Sequence, residues 1–124
     1  MTPAELRALA DDVEKLDGPD KGVDWRIARA VECYYPRLPP PRFTGSIDAA
    51  ASLMPPRSII EVYDARIRDE KWLVIAKLGP RPDDTSWCHA AAATEPLART
   101  ACALRARAAL LEAGATDAAG PEAA

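Results

Sequence analysis

The sequence has little of what catalysis, metal binding or disulfide bonding requires. Its 124 residues include one histidine, His89, and three cysteines, Cys33, Cys88 and Cys102. The cysteines are odd in number, widely spaced and without a Cys-x-x-Cys pair, which argues against a zinc site or a disulfide framework and favours a reducing compartment. No nucleophile elbow, phosphate-binding loop or dinucleotide fingerprint is present. We therefore expect a protein that is not an enzyme and that holds no metal and no cofactor.

Long apolar runs and clustered positive charge are also missing. No apolar stretch approaches the roughly 18 residues that a membrane span needs, and the N-terminus lacks the pattern of a signal peptide. The formal net charge is -3, and lysines and arginines form no cluster of the kind that general nucleic-acid binding requires. These features predict a cytoplasmic protein that binds neither membranes nor nucleic acid in general.

What the sequence does contain fits one small domain. A chain of 124 residues has the length of a single domain, to which we assign residues 1–114. Apolar residues make up 48% of the chain, but alanine supplies much of that share, so the core should be thin. Residues 36–41 contain four prolines, which exclude a helix or central strand and indicate an extended connector inside the domain. Residues 115–124 are small and polar and are expected to form a flexible tail.

Capping and breaking residues mark four helices. Thr2-Pro3-Ala4-Glu5 has the pattern of a capping box with proline at the first helical position. Ser46 is typical of an N-cap, and so is Thr94. Gly114 indicates the end of the last helix. The predicted helices run from Thr2 to Leu16, Val23 to Glu32, Ser46 to Met54 and Thr94 to Gly114, and the apolar stripe of the last one comprises Leu97, Ala101, Leu104, Ala108 and Leu111.

Three segments between the third and the fourth helix are rich in β-branched and aromatic residues. They are Ser58–Asp64, Lys71–Leu78 and Thr85–Ala91. The gaps between them suit antiparallel hairpins with longer loops. The sequence therefore predicts an α+β domain of α-α-α-β-β-β-α order, in which a three-stranded antiparallel meander is packed against helices like a sandwich.

This topology suggests an anion site at one edge of the sheet. The N-termini of the last two helices would lie at the same edge as the first hairpin loop, and helix N-termini present unpaired N–H groups and partial positive charge. Nearby arginines would complete the site, and an aromatic side chain could stack a base. The candidate ligand-binding residues are Arg42, Thr44, Ser46, Arg66, Arg68, Trp87, His89 and Thr94. The alternative is that Ser46 and Thr94 are ordinary caps and that the arginines are solvated.

Short motifs in the sequence resemble a known family. Phe43–Ala50, Ala92–Ala98 together with Cys102–Ala106, and Leu16–Asp20 are similar to segments of the phage ABA-sandwich domain family. The similarity covers roughly residues 6–110. The resemblance implies an α/β sandwich and a phage source, hence a place in the host cell cytoplasm, and it implies no established activity. Small phage accessory proteins commonly blunt host defence, and some act as sponges for nucleotide immune signals.

These considerations favour a non-enzymatic phage accessory protein with an anti-defence role. It would bind a small anionic ligand, with a nucleotide-type host immune signal as the leading candidate, and it would act as a homo-oligomer. The alternative is a protein–protein interaction module that docks on a host or phage protein through Trp25, Tyr34, Tyr35 and the proline run. The element order is also that of a double-stranded RNA-binding domain, but the acidic balance and the lack of a lysine cluster count against that function.

Overall fold

The computed structural model describes residues 2–31, 40–55, 58–64, 70–78 and 87–119, with side chains described up to residue 112. Within these ranges the chain forms α1 (Pro3–Glu14), α2 (Lys21–Ala30), α3 (Ile47–Ser52), β1 (Ile59–Tyr63), β2 (Trp72–Lys77), β3 (Trp87–Ala92) and α4 (Glu95–Ala119). The predicted α+β class and element order are confirmed. Most of the proline run (residues 36–39), together with Cys33, Tyr34 and Tyr35, lies outside the described residues, as do residues 120–124.

Local capping sets where the first helices begin. The hydroxyl of Thr2 accepts the N–H of Glu5 at 3.1 Å, and the Glu5 carboxylate accepts the N–H of Thr2 at 2.9 Å, which is the predicted capping box. Helix α2 begins two residues before the predicted Val23, because the Asp20 carboxylate accepts the N–H of Val23 at 2.9 Å and acts as the N-cap. The hydroxyl of Ser46 caps α3 through the N–H of Ala49 at 3.2 Å.

The prediction that α4 ends at Gly114 was wrong, because the helix continues to Ala119. A glycine inside a helix costs only about 1 kcal/mol relative to alanine, and alanines on both sides favour the helix. Leu111 was placed on the buried stripe, but it is 44% exposed, whereas the other four stripe residues are buried. The packed part of α4 ends near Ala108, and Leu111 lies beyond the layer that covers it.

The sheet has the order β1-β2-β3 with antiparallel pairing throughout. Val62 pairs with Val74, and Val74 pairs with Ala90, so these three side chains lie on the same face. That face packs against α4 and contributes Val74, Ala76, Ala90 and Ala92 to the buried core. The opposite face carries the alternate side chains of each strand.

Helix α4 is the centre of the molecule. It contacts β2, β3, α1 and α3, and it is buried on nearly every side along its first half. Its alanines let neighbouring backbones approach closely. The hydroxyl of Thr100 donates to the carbonyl of Phe43 at 2.7 Å, and Nε of Arg107 donates to the carbonyl of Leu53 at 2.8 Å. These two bonds hold the ends of the α3 segment along α4, so both helices run in the same direction.

Two charged side chains close the outer edge of β3. The N–H of Ala91 donates to Oε2 of Glu14 at 2.9 Å, and the carbonyl of His89 accepts from Arg105 at 3.0 Å. Arg105 also contacts both carboxylate oxygens of Glu14, at 2.6 and 2.8 Å, and donates to Asp11 at 2.7 Å. An unpaired strand edge invites pairing with another chain. Here one outward N–H and one outward carbonyl of β3 are already occupied by side chains of α1 and α4, which disfavours such pairing.

The contacts among Asp11, Glu14 and Arg105 shift the pKa values of Glu14 and Arg105. Burial alone would raise the pKa of Glu14, but the hydrogen bonds from the Arg105 guanidinium and from the N–H of Ala91 outweigh it and lower the pKa below 4.5. The hydrogen bond to Glu14 is also the largest reason that the pKa of Arg105 is raised. The Glu14 carboxylate therefore contributes stability that is present above pH 4.5 and is lost as the pH falls through its folded-state pKa.

We predict that Glu14→Gln lowers the free energy of unfolding by about 1–3 kcal/mol at neutral pH, since a partly buried charged hydrogen-bond partner is lost. The difference from the wild type should shrink as the pH falls below 4.5. Urea unfolding at several pH values measures it. Glu112→Gln is the matched control, because Glu112 forms an exposed pair with Arg7 and its loss should matter little. A Glu14→Gln variant as stable as the wild type at neutral pH would contradict this role.

Candidate ligand-binding site

The described contacts do not join the two helix ends of the predicted anion site. The carbonyl of Phe43, just before α3, lies against Thr100. Thr100 is six residues, and therefore about 9 Å along the helix axis, from Thr94. The hydroxyl of Thr94 accepts the N–H of Leu97 at 3.3 Å, and that of Ser46 caps α3 as described. Both side chains thus cap their own helices, in the way that the alternative interpretation required.

Trp87 and His89 lie elsewhere as well. Trp87 pairs with Lys77, while Ala92, next to the start of α4, pairs with Trp72 at the other end of the sheet. Five residues separate Trp87 from Ala92, which is about 17 Å along a strand. His89 shares the exposed sheet face with Trp87, away from α4. The structure does not bring either side chain to Thr94, and Arg66 and Arg68 lie outside the described residues.

Thr44 is buried and serves the fold. Its hydroxyl donates to Oδ1 of Asp24 at 2.8 Å and accepts the N–H of Asp20 at 2.8 Å, and its own N–H donates to the same Asp24 oxygen at 2.9 Å. Asp24 is only 3% exposed. The turn that carries Thr44 approaches so closely that a Cβ on Gly45 would lie 3.0 Å from Cγ of Pro19. Glycine is therefore needed at this position to admit the contact.

Arg42, which was also predicted to bind the ligand, lines a pocket of about 670 Å³. The pocket lies between the start of α2 and the segment before α3. The lining residues are Pro19, Lys21, Asp24, Trp25, Pro40 and Arg42. Lys21 and Trp25 are four residues apart on α2, so their side chains lie on the same face of that helix. The pocket is therefore bounded by two prolines, an indole ring, two cations and a buried carboxylate.

The two cations of this pocket have no carboxylate partner within the described part of the chain. By contrast, Arg7, Arg26, Arg99 and Arg105 all form ion pairs. Oδ1 of Asp24 accepts both bonds from Thr44, and among the described residues nothing donates to Oδ2. The pocket thus combines unpaired positive charge at Lys21 and Arg42 with an acceptor oxygen that has no partner among these residues.

Of the residues that line this pocket, only Arg42 was predicted to bind a ligand, whereas Trp25 and the proline run that contains Pro40 were assigned to the alternative docking surface. Trp25 was singled out as an exposed docking aromatic, and Lys21 was not singled out at all. The signal that could have found them is the spacing of Lys21 and Trp25 on the first turns of a helix. That signal was hidden because the Asp20 cap was overlooked and α2 was predicted to start at Val23.

A second, more open depression of about 420 Å³ lies on the exposed sheet face, next to Trp87 and His89. It is lined by Glu61, Leu73, Ile75, Trp87, Cys88 and His89. Its lining includes three large apolar side chains, and Lys77 lies over the Trp87 ring with its Nζ atom 5.8 Å from the ring centroid. This surface suits contact with a protein face better than the enclosure of a small anion.

The thiols that the structure describes are poorly suited to nucleophilic chemistry. Cys88 and Cys102 are both free of disulfides. Burial raises the pKa of Cys102 to about 12, and it also raises the pKa of the half-buried Cys88. Both are therefore protonated at neutral pH, whereas nucleophilic attack requires the thiolate. Across the described ranges no cluster of His, Cys, Asp and Glu is arranged to bind a metal ion, and no helix there has the length and hydropathy to cross a membrane.

We predict that Thr44→Val lowers the free energy of unfolding by about 1–3 kcal/mol, since the N–H of Asp20 loses its acceptor and Oδ1 of Asp24 keeps only the bond from the N–H of residue 44. Thr44→Ser keeps the hydroxyl and should lose much less. Chemical denaturation of both variants measures the difference. If Thr44→Val unfolds at the wild-type denaturant concentration, the hydroxyl does not hold this turn.

Comparison with known protein families, with curated proteins and with solved structures finds no match for this chain. The resemblance to the phage ABA-sandwich domain family therefore stays a prediction.

Proposed function

We propose that this protein binds a small anionic ligand that carries a flat ring, of the nucleotide type, in the pocket between α2 and residues 40–42. The observation that supports this most strongly is that Lys21 and Arg42, two cations without a carboxylate partner among the described residues, line one pocket together with the Trp25 indole. The volume of about 670 Å³ lies within the range of roughly 300–1,000 Å³ that is typical of small-molecule sites.

The cations account for the anionic part of the ligand. Arginine can hold a phosphate through two parallel N–H bonds, and lysine adds a point charge. Lys21 is the first residue of α2, where the helix dipole also favours negative charge. A phosphate between Lys21 and Arg42 would therefore meet three favourable sources of positive potential.

Trp25 and Asp24 account for the ring. The indole of Trp25 offers a surface on which a base can stack, and base–aromatic stacking is worth about 1–3 kcal/mol. Oδ2 of Asp24 is an acceptor only, so it suits an exocyclic amino group or a ring N–H of the base. The same oxygen would repel a second phosphate. The pocket is thus better matched to a nucleotide than to inorganic phosphate.

The expected affinity is modest. A charge-assisted bond to Arg42 contributes about 1.5–3 kcal/mol, stacking about 1–3 kcal/mol and the helix end about 0.3–1 kcal/mol. Together these correspond to dissociation constants from millimolar to micromolar. We propose binding rather than turnover, because the described residues that line the pocket include neither a histidine nor a thiol. Sequestration of a nucleotide-type host immune signal is the role that the sequence resemblance favours.

We predict that calorimetry with a panel of mono-, di- and cyclic nucleotides will identify at least one ligand of micromolar affinity. Arg42→Ala should weaken its binding roughly 10- to 100-fold, the loss expected for one charge-assisted bond. Arg29→Ala is the matched control, because Arg29 lies at the other end of α2 and removes the same charge from the same helix. Trp87→Ala should leave the affinity unchanged.

Two outcomes would contradict the proposal. If no nucleotide in the panel binds and inorganic phosphate does not bind either, the pocket is not an anion site. If Arg29→Ala weakens binding as much as Arg42→Ala, the ligand responds to the overall charge of the protein rather than to this pocket. Melting temperatures of all variants, measured without ligand, show whether each one is folded.

A further inference from the structure

The sheet face opposite α4 exposes large apolar side chains. Ile59 is 60% exposed, Trp87 is 54% exposed and Tyr63 is 36% exposed. Leu73 and Ile75 of the central strand lie between them and are only partly buried. No described helix packs on this face. The open face, as we name these side chains together with Glu61, Lys77, His89 and Ala91, is therefore much more apolar than an ordinary solvated surface.

Strand pairing arranges the open face in three rows. The rows are Ile59–Lys77–Trp87, Glu61–Ile75–His89 and Tyr63–Leu73–Ala91. The middle row has an acidic residue on one outer strand and the histidine on the other, with an apolar residue between them. In the outer rows, Ile59 on β1 lies across from Trp87 on β3, and Tyr63 on β1 lies across from Ala91 on β3. This pattern makes the open face complementary to itself.

We infer that the open face is the interface between two copies of this chain. Two sheets that pack face to face align their strands within about 30° and lie about 10 Å apart. A two-fold axis parallel to the strands would place β1 of one copy over β3 of the other. Glu61 then faces His89 of the second copy, and Ile59 faces Trp87.

The same operation leaves the centre of the interface apolar. Ile75 and Leu73 lie on the axis and meet their own copies, and Tyr63 meets the small Ala91. The two Lys77 side chains would also approach each other, but each lies over the ring of its neighbour Trp87. A two-fold axis perpendicular to the strands would instead oppose Glu61 to itself, which is unfavourable. The parallel axis forms two Glu61–His89 contacts against one Lys77–Lys77 contact, whereas the perpendicular axis forms no Glu61–His89 contact, so charge complementarity favours the parallel axis.

The edges of the sheet support a face-to-face contact. Glu14 and Arg105 already occupy two outward backbone groups of β3, which disfavours extension of the sheet by a second copy there. The Glu61 carboxylate is oriented by a hydrogen bond from the hydroxyl of Tyr63 at 3.1 Å. The occupied groups of β3 make its edge less available to a second copy than the open face is. The bond from Tyr63 fixes the Glu61 carboxylate on that face.

Sedimentation analysis of the full chain tests this inference. The wild type should have twice the monomer mass of 13.3 kDa at micromolar concentration. Trp87→Ser should shift it to the monomer, whereas Leu111→Ser, which changes an exposed leucine on α4, should not. Glu61→Lys opposes a lysine to His89, and His89→Glu opposes two glutamates, so each single variant should be monomeric.

Mixing the two single variants gives the sharpest test. In a mixed pair, Lys at position 61 faces Glu at position 89, and the natural Glu61 faces the natural His89. The equimolar mixture should therefore regain the dimer that each variant alone has lost. A contact between positions 61 and 89 of the same chain cannot produce this result. These positions lie on β1 and β3, which are separated by β2 and lie two strand spacings, about 9.6 Å, apart.

Three results would overturn the inference. They are a wild-type monomer at hundreds of micromolar, a dimer that is lost in Leu111→Ser but kept in Trp87→Ser, and a mixture that stays monomeric. The first would leave the open face to a partner of another kind. Circular dichroism and thermal melting establish that each variant is folded. Because the pocket at Arg42 is not part of this face, the result is independent of the proposed function.

Discussion

The buried carboxylate of Asp24 connects the start of α2 to the turn before α3. Asp24 accepts both the N–H and the hydroxyl of Thr44 on a single oxygen, and it is almost fully removed from solvent. A buried charge is costly unless hydrogen bonds satisfy it. The chain satisfies it by bringing the turn before α3 onto the start of α2. The carbonyl of Phe43 in that turn then accepts from Thr100 of α4, so three separate segments are fixed by one polar network.

The pocket exists because of that network. Pro19 and Lys21 lie on one side of the contact, and Pro40 and Arg42 lie on the other. Gly45 allows the turn to meet Pro19 without a clash. Since both walls are anchored to buried groups, the backbone positions of Lys21 and Arg42 are fixed before any ligand arrives. Preorganisation of this kind reduces the entropy that binding must overcome. The remaining acceptor of Asp24 is part of the same arrangement.

The elements of the fold could be predicted from local patterns, whereas the site could not. Caps such as Thr2 with Glu5, Ser46 and Thr94 act within one turn of helix, and strand alternation is also local. The Asp24–Thr44 contact joins residues 20 positions apart, and nothing in the sequence near Asp24 distinguishes it from a solvated helical aspartate. For the same reason Thr44 was expected to contact a ligand, although its hydroxyl is buried.

The sheet topology explains why Trp87 and Thr94 do not meet, although both were predicted to bind the ligand. Trp87 begins β3 and Thr94 follows its last residue, so the two residues lie at opposite ends of that strand. The alanines of α4, expected to give a thin core, are what allow that helix to be surrounded by the sheet, α1 and α3. The structure places Trp25 in the pocket beside α2 and Trp87 on the open face of the sheet.

The most direct test of the central claim is an NMR titration of the tryptophan indole N–H signals. Trp25, Trp72 and Trp87 lie in the pocket, on the helix side of the sheet and on the open face, so their signals distinguish the three regions. A nucleotide that binds as we propose should shift the Trp25 signal in a saturable manner and leave the Trp87 signal in place. A saturable shift at Trp87 with none at Trp25 would contradict the account.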